Sequence, residues 1–312
     1  MKQVRDIDEF SKLFKVSIPY KPEFDYYIDT LSQSKEYRGL KDLVEEFIKF
    51  EDWVDLNGYP SIKKYKFHCL DVIQDCIKLS SSYKKYIEFD YSKKKFGTLD
   101  KLSDWEKEQS CSDSPDYLLS FDLKSANFNT IKSFGDDIGD SWEDLCANLF
   151  VHPVLSKSKQ FRQHVLGDLG QGRNGKIQLM RINEIVSKLE SDGNKSRIVF
   201  VSNDEICLSL SSDICDEKGF LEAVDSEFGI RDILDVPSKI TVYAIKKIGK
   251  KIYKKVVLFQ EGLEKEDRYT TLSGVPGNKF YRFFKEEVLN KDIEERDLFF
   301  ITEGEYAKWV IK

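Results

Sequence analysis

Apolar positions along this 312-residue chain follow two rhythms, and the change from one to the other divides it. Up to about residue 110 they recur at helical spacing, in Gly39-Leu-Lys-Asp-Leu-Val-Glu-Glu-Phe-Ile-Lys-Phe50 and from Ile62 through Leu79, which predicts amphipathic helices. Phe47, Phe50 and Trp53 fall on that pattern as core contacts rather than as a platform for stacked bases. The polar stretch Glu106–Pro115 has the composition of a loop and marks a boundary. Beyond it, Tyr117–Phe121 reads as a short buried strand running directly into Asp122, and Leu123–Phe128 begins a helix or tight turn. Helices are predicted over Ser141–Phe150, with Ser141 as cap and Asp144 three residues on, then over Lys157–Leu169 and Ile177–Glu190. Two hairpins follow, Ile198–Leu210 and Ile240–Phe259, the second turning around Gly249. The fold class expected is α+β, with a helical region at 1–110, an antiparallel sheet packed with helices at 115–280, and a small helical and strand appendage at 281–312.

Composition narrows the class. The chain is long enough, and 40% apolar, so it can bury a sizeable core. No apolar run approaches the roughly 20 residues that span a bilayer, and the first residues hold no apolar signal segment, so a cytoplasmic location without membrane contact is expected. Six cysteines (Cys69, Cys76, Cys111, Cys146, Cys207, Cys215) are scattered without a CxxC pair and read as reduced thiols. A net charge of -6 argues against indiscriminate coating of nucleic acid. Yet Lys246–Lys255, KKIGKKIYKK, holds six lysines, which fits either a surface that grips a polyanion or a solvated charged hairpin.

The candidate chemistry lies in acids. Asp204 and Glu205 fall at the tip of the Ile198–Leu210 hairpin, where adjacent acids commonly just face water. Paired strands are also a rigid mount for metal-binding carboxylates. Asp122, at the end of its own strand, supplies the second acid such a site needs, because an antiparallel sheet can bring a strand end beside a hairpin tip. Carboxylates shared by two divalent ions about 4 Å apart can activate an attacking oxygen and stabilise a leaving one in phosphoryl transfer. Mg²⁺ or Mn²⁺ suits a site of that kind. Asp122 and Asp204 are the expected metal ligands, with Glu205 as auxiliary catalytic acid.

Asp122-Leu-Lys-Ser-Ala-Asn-Phe128 resembles the first palm motif of family B DNA polymerases, D-x-x-S-x-Y-P, through Asp122 and Ser125, with Asn127 in place of the Tyr and Phe128 in place of the Pro. Ser202-Asn-Asp-Glu205 resembles the third motif through Asp204. Between them, Lys159-Gln-Phe-Arg-Gln-His-Val-Leu-Gly167 is similar to the basic helix of the family, and Lys251-Ile-Tyr-Lys254 to its basic hairpin. The resemblance covers about residues 115–280, in motif order more than in motif identity. It implies a palm-like nucleotidyltransferase domain in which Lys159, Arg162, Ser125 and Phe128 meet the nucleotide. Lys246, Lys250, Lys251 and Lys254 would meet the nucleic-acid backbone. Gly167–Gly175, with four glycines but no P-loop spacing, reads as a flexible turn.

Three functions fit these residues. The first is a two-metal nucleotidyltransferase that takes nucleoside triphosphates and a nucleic-acid end. The second is a catalytically inactive relative that binds nucleic acid or protein, and the third is a metal-dependent nuclease. The helical region at 1–110 is left for packing or for docking a protein partner.

Overall fold

The computed structural model describes residues 3–90, 116–170, 172–191, 193, 198–210, 238–250, 252–302 and 305–309. The expected boundary at Glu106–Pro115, together with Cys111, Cys215 and Lys251, lies outside them. In chain order the elements are α1 (Ile7–Phe14), α2 (Phe24–Leu31), α3 (Leu40–Leu56), α4 (Ile62–Leu79), α5 (Ser81–Glu88), β1 (Asp116–Leu123), α6 (Ala126–Lys132) and α7 (Trp142–Asn148). Next come α8 (Pro153–Ser156), α9 (Lys159–Gly170), α10 (Arg173–Ser191), β2 (Ile198–Val201), β3 (Glu205–Ser209), β4 (Ser238–Gly249), β5 (Ile252–Gln260) and β6 (Thr270–Ser273). A short α11 (Phe280–Phe283) continues into a π-helical turn, Phe284–Leu289, and β7 (Phe299–Thr302) and β8 (Glu305–Lys308) close the chain. The fold is α+β.

Two compact units interleave along the sequence. One comprises Met1–Leu79, Ile138–Leu169 and Gly274–Lys312, the other Ser80–Asp137 and Gly170–Ser273. This differs from the linear division read from the sequence, because segments distant along the chain share one core.

In the first unit, α3 turns Leu40, Phe47, Phe50 and Val54 inward, and α4 turns Ile62, Tyr65, Cys69, Ile73 and Ile77 inward. Phe10 packs within 5.1–5.5 Å of Phe14, Phe24 and Phe47; Phe47 and Phe50 are buried as their spacing predicts, whereas Trp53 is half-buried. The described residues from 281 onward are built into this unit rather than appended to it. The Tyr281 hydroxyl donates to the Ser17 carbonyl (2.7 Å) and the Tyr27 hydroxyl to the Arg296 carbonyl (2.6 Å). Lys285, with only 4% of its side chain exposed, lies 2.9 Å from the buried Asp297 and 2.7 Å from Glu294.

The second unit is built on a six-stranded antiparallel sheet ordered β2-β3-β1-β4-β5-β6. Leu119, Phe121 and Leu123 of β1, Ile206 and Leu208 of β3, and Ile240 and Val242 of β4 share one core with Ile182, Ile185, Val186 and Leu189 of α10. Strand alternation sends the intervening residues to the opposite face. Asp122 lies inside β1 rather than beyond its end. The predicted Gly167–Gly175 turn is mostly helical: α9 runs to Gly170 and α10 starts at Arg173, four residues before the expected Ile177, with Gly172 at φ 74° between them. Ser141 does cap its helix, accepting the Asp144 amide at 3.0 Å.

Candidate functional site

The face of the sheet opposite α10 carries the acids. Antiparallel pairing sets Asp122 of β1 directly against Glu205 of β3, and on its other side against Lys239 of β4. Opposed residues in such a ladder have Cβ atoms about 4.5–5.5 Å apart, and like charges there are destabilising. The row Glu205–Asp122–Lys239 therefore sets two acidic residues and one lysine side by side on one face. Behind it the same face continues with Cys207, Ser120 and Thr241.

Asp204 joins this row through the hairpin turn. Ser202 N donates to the Glu205 carbonyl at 2.8 Å and closes the turn, leaving Asn203 and Asp204 exposed at the tip. The Ser202 hydroxyl accepts the Glu205 amide at 3.0 Å and donates to Asp204 Oδ1 at 3.0 Å, which fixes the carboxylate. Leu123 N donates to the Asp204 carbonyl at 2.8 Å, so the tip is bonded to the residue after Asp122. Asp122, Asp204 and Glu205 are thus brought together by backbone pairing. From the helix side, Gly175 of α10 approaches the tip so closely that a Cβ there would lie 3.0 Å from Asn203 Nδ2.

Glu205 is anchored from behind. Its Oε1 accepts the Ser120 hydroxyl at 2.5 Å and the Cys207 thiol at 3.3 Å, and Cys207 Sγ lies 3.4 Å from the Tyr243 hydroxyl. Burial, then the charge of Glu205, pushes the Cys207 thiol up to about 12, so it stays protonated and serves as a donor. Burial likewise drives the Tyr243 hydroxyl up, followed by the influence of Cys207. Lys255 Nζ lies over the Tyr243 ring at 4.6 Å. Ser120, Cys207, Tyr243 and Lys239 escaped the sequence reading, since only the register reveals that they share a face with Asp122.

The nucleotide-binding candidates fall on different elements. Ser125 precedes α6 in a left-handed conformation, φ 45°, at the turn out of β1, and makes no side-chain cap. Phe128 is 1% exposed, so its ring belongs to the interior and presents no face to a ligand. Asn127 Oδ1 accepts Gln178 Nε2 at 2.9 Å, tying α6 to α10. Lys159 and Arg162 belong to α9 in the first unit, where Arg162 faces Glu143 at 3.6 Å. Lys246 and Lys254 stand directly opposite each other on β4 and β5, and Lys250 is exposed at the turn. Alternation puts Lys246 and Lys254 on the side of Val242 and Ala244, whereas Lys239, Lys247 and Lys255 share the side of Asp122.

Among the described residues no group of three or more His, Cys, Asp or Glu side chains is arranged to hold a metal ion. No described helix is long and apolar enough to cross a membrane. Cys69, Cys76, Cys146 and Cys207 are free thiols. Comparison of the chain with protein-family models, with curated proteins and with solved structures finds no match.

Proposed function

We propose that the second unit is a palm-type nucleotidyltransferase that extends a nucleic-acid end from nucleoside triphosphates with Mg²⁺ or Mn²⁺. The observation that carries this reading is the opposition of Asp122 and Glu205 across β1 and β3, with the Asp204 backbone bonded to the residue beside Asp122. A sheet that sets like charges face to face gives up stability, and a bound cation would recover it.

The donor set suits a hard cation, since Asp122 and Asp204 offer carboxylate oxygens and the neighbouring Cys207 is held as a thiol. Asp122 and Asp204 would hold the ion, which needs only one or two protein carboxylates when substrate phosphates complete its shell. When bound, it supplies Lewis-acid activation of an attacking hydroxyl and stabilisation of the leaving oxygen. The chain's own part is positioning. Ser202 holds the Asp204 carboxylate, and Ser120 and Cys207 hold Glu205, the auxiliary acid, beside Asp122. Lys239, Lys247 and Lys255 give the acid face positive charge for a phosphate backbone.

A labelled primer–template with the four nucleoside triphosphates tests the reading. Lengthening that requires metal and Asp122 supports it, and shortening assigns the same carboxylates to a nuclease. A second reading, nucleic-acid binding without chemistry, is favoured by the Lys246–Lys254 opposition, which also costs stability and suits a polyanion. It predicts salt-sensitive binding that Asp122→Ala and Asp204→Ala leave intact.

A further inference from the structure

The first unit holds an aromatic cavity of about 260 Å³ lined from α3, α4 and the turn after α7. On α4, Tyr65, His68, Cys69 and Val72 fall at i, i+3, i+4 and i+7, so one face of the helix lines it. Tyr65 forms its floor: the residue is 3% exposed, and its hydroxyl accepts the His152 amide at 2.9 Å. The Trp53 and Tyr59 rings each stand at 65° to that of Tyr65, with centroids 5.1 and 4.8 Å away. Trp53 and Tyr59 are half-buried, and His68 and Phe150 are exposed.

Phe150 supplies an independent observation. Its amide donates to the Ala147 carbonyl at 3.0 Å and the Val151 amide to the Cys146 carbonyl at 2.9 Å, the paired bonds of a Schellman motif that ends α7. Such a motif puts one residue in the left-handed region, and glycine is its usual occupant. Here a phenylalanine holds φ 55°, with its side chain 90% exposed at the cavity. Strained backbone and an uncovered aromatic ring thus meet at one position where glycine would remove both. A ring kept at that cost points to a use outside the fold.

The lining selects a planar ring with polar edges. Among the described residues no Lys, Arg, Asp or Glu lines the cavity, so an ion would have no counter-charge within it. Polar groups do reach it: the Trp53 indole N–H, the Tyr59 hydroxyl and the His68 ring nitrogens make no hydrogen bond among the described residues. Asn57 donates through Nδ2 to the Trp53 carbonyl at 2.8 Å and keeps its Oδ1 as an acceptor. A phenyl or aliphatic side chain would cover these groups without pairing them. A nucleobase offers ring faces for stacking and an edge of donors and acceptors. Outside the cavity, Lys49 precedes Trp53 by one helical turn and Lys64 precedes His68 by one turn; both are exposed and in no ion pair among the described residues. Asp55 is taken up by Arg5 at 2.6 Å. Asp71, three residues beyond His68, is exposed and repels a phosphate there, which favours the Lys49 and Lys64 side for a phosphate chain.

We propose that this cavity takes the base of an unpaired nucleotide, stacked against Trp53, Tyr59 and Phe150, with its edge on Asn57 and His68 and its phosphates towards Lys49 and Lys64. The nucleotide is either free or part of a single strand, and the proposal stands whether or not the second unit is catalytic.

The test compares a single-stranded DNA dodecamer of mixed sequence with an abasic dodecamer of equal charge, each titrated with the full chain and followed by fluorescence anisotropy. The base-bearing strand is expected to bind at least tenfold tighter, and the difference should disappear in Tyr59→Ala and in Phe150→Gly. Without ligand, Phe150→Gly should melt at or above the wild-type temperature, because it relieves the left-handed strain and removes the exposed ring. A phenylalanine serving only the fold would make it melt lower. Lys49→Gln and Lys64→Gln should each reduce the slope of log affinity against log salt by about 0.7. The Asp122→Ala/Asp204→Ala protein should keep the full base-dependent difference, which separates this site from the acid face. Adenosine or thymidine 5′-monophosphate that displaces the strand with a dissociation constant within tenfold of the strand's own identifies a free nucleotide as sufficient. Displacement only at higher concentration identifies a strand. Equal binding of the two dodecamers, or a difference unchanged in both variants, overturns the proposal. Binding of N-acetyltryptophanamide that is lost in Phe150→Gly, with no base-dependent difference, also overturns it and assigns the cavity to an aromatic side chain of a protein partner.

Discussion

Single residues carry costs in this chain that point to where it works. Ser125 holds a left-handed backbone at the turn out of the Asp122 strand, a conformation that disfavours any residue with a Cβ by roughly 1–2 kcal/mol. Part of that returns as chain entropy if glycine replaces it. Ser125→Gly should therefore raise stability by about 0.5–1 kcal/mol in urea unfolding, and an unchanged or lowered midpoint would show that the serine hydroxyl compensates the strain. His152 gives a pH-dependent example. Its ring centroid lies 4.6 Å from that of Phe50 and 5.0 Å from that of Trp53, and its Nδ1 accepts the Val154 amide at 3.3 Å. Burial, more than the opposing pull of Glu46 or the push of Lys157, lowers the pKa of this group. A depressed histidine contributes stability that is present above its unfolded value of about 6.5 and is lost as pH falls through the folded one. Unfolding midpoints of the wild type should drop between pH 8 and pH 5 by more than those of His152→Asn, whose amide can still accept the Val154 bond.

At the scale of elements, the hairpin Ile198–Leu210 and the strand holding Asp122 were legible because short apolar runs and a polar turn are local signals. What pairs with what was not legible. The opposition of Asp122 to Glu205, the flanking Lys239 and the anchoring of Glu205 by Ser120 and Cys207 all follow from register, which depends on residues more than 80 positions apart. The lysine-rich hairpin illustrates the same limit: its charge was evident, but only the pairing divides Lys246 and Lys254 from Lys247 and Lys255. The Gly167–Gly175 segment misled because glycines usually break helices. Here Gly175 is kept in α10, where its missing Cβ leaves room for Asn203. Gly175→Val should displace the hairpin tip and reduce any Asp204-dependent activity at least tenfold while lowering stability by only about 1–2 kcal/mol. Equal activity in that variant would mean that tip position is unimportant.

For the whole molecule, the interleaving of two units was hidden because a linear reading sees composition shifts but not which distant segments share a core. The first unit depends on its last residues. Lys285 binds Glu294, Asp297 and the Tyr26 hydroxyl from an almost fully buried position. Burial opposes its charge, but those hydrogen bonds outweigh it and raise its pKa. Lys285→Met leaves Asp297 buried without its cation and should cost about 3–5 kcal/mol in chemical denaturation. A loss below about 1 kcal/mol would mean that the C-terminal segment is held by its aromatic contacts alone. The second unit carries the central claim, that its opposed carboxylates form a metal-dependent catalytic centre. The most direct measurement is the rate of nucleotide incorporation into a labelled primer with Mg²⁺ or Mn²⁺, wild type against Asp122→Ala/Asp204→Ala. Metal-dependent extension that falls at least a thousandfold in the variant, a loss of about 4 kcal/mol of transition-state stabilisation, is the expected result. Extension at the wild-type rate in the variant, or no metal-dependent reaction in either protein while both bind the primer equally, would contradict it.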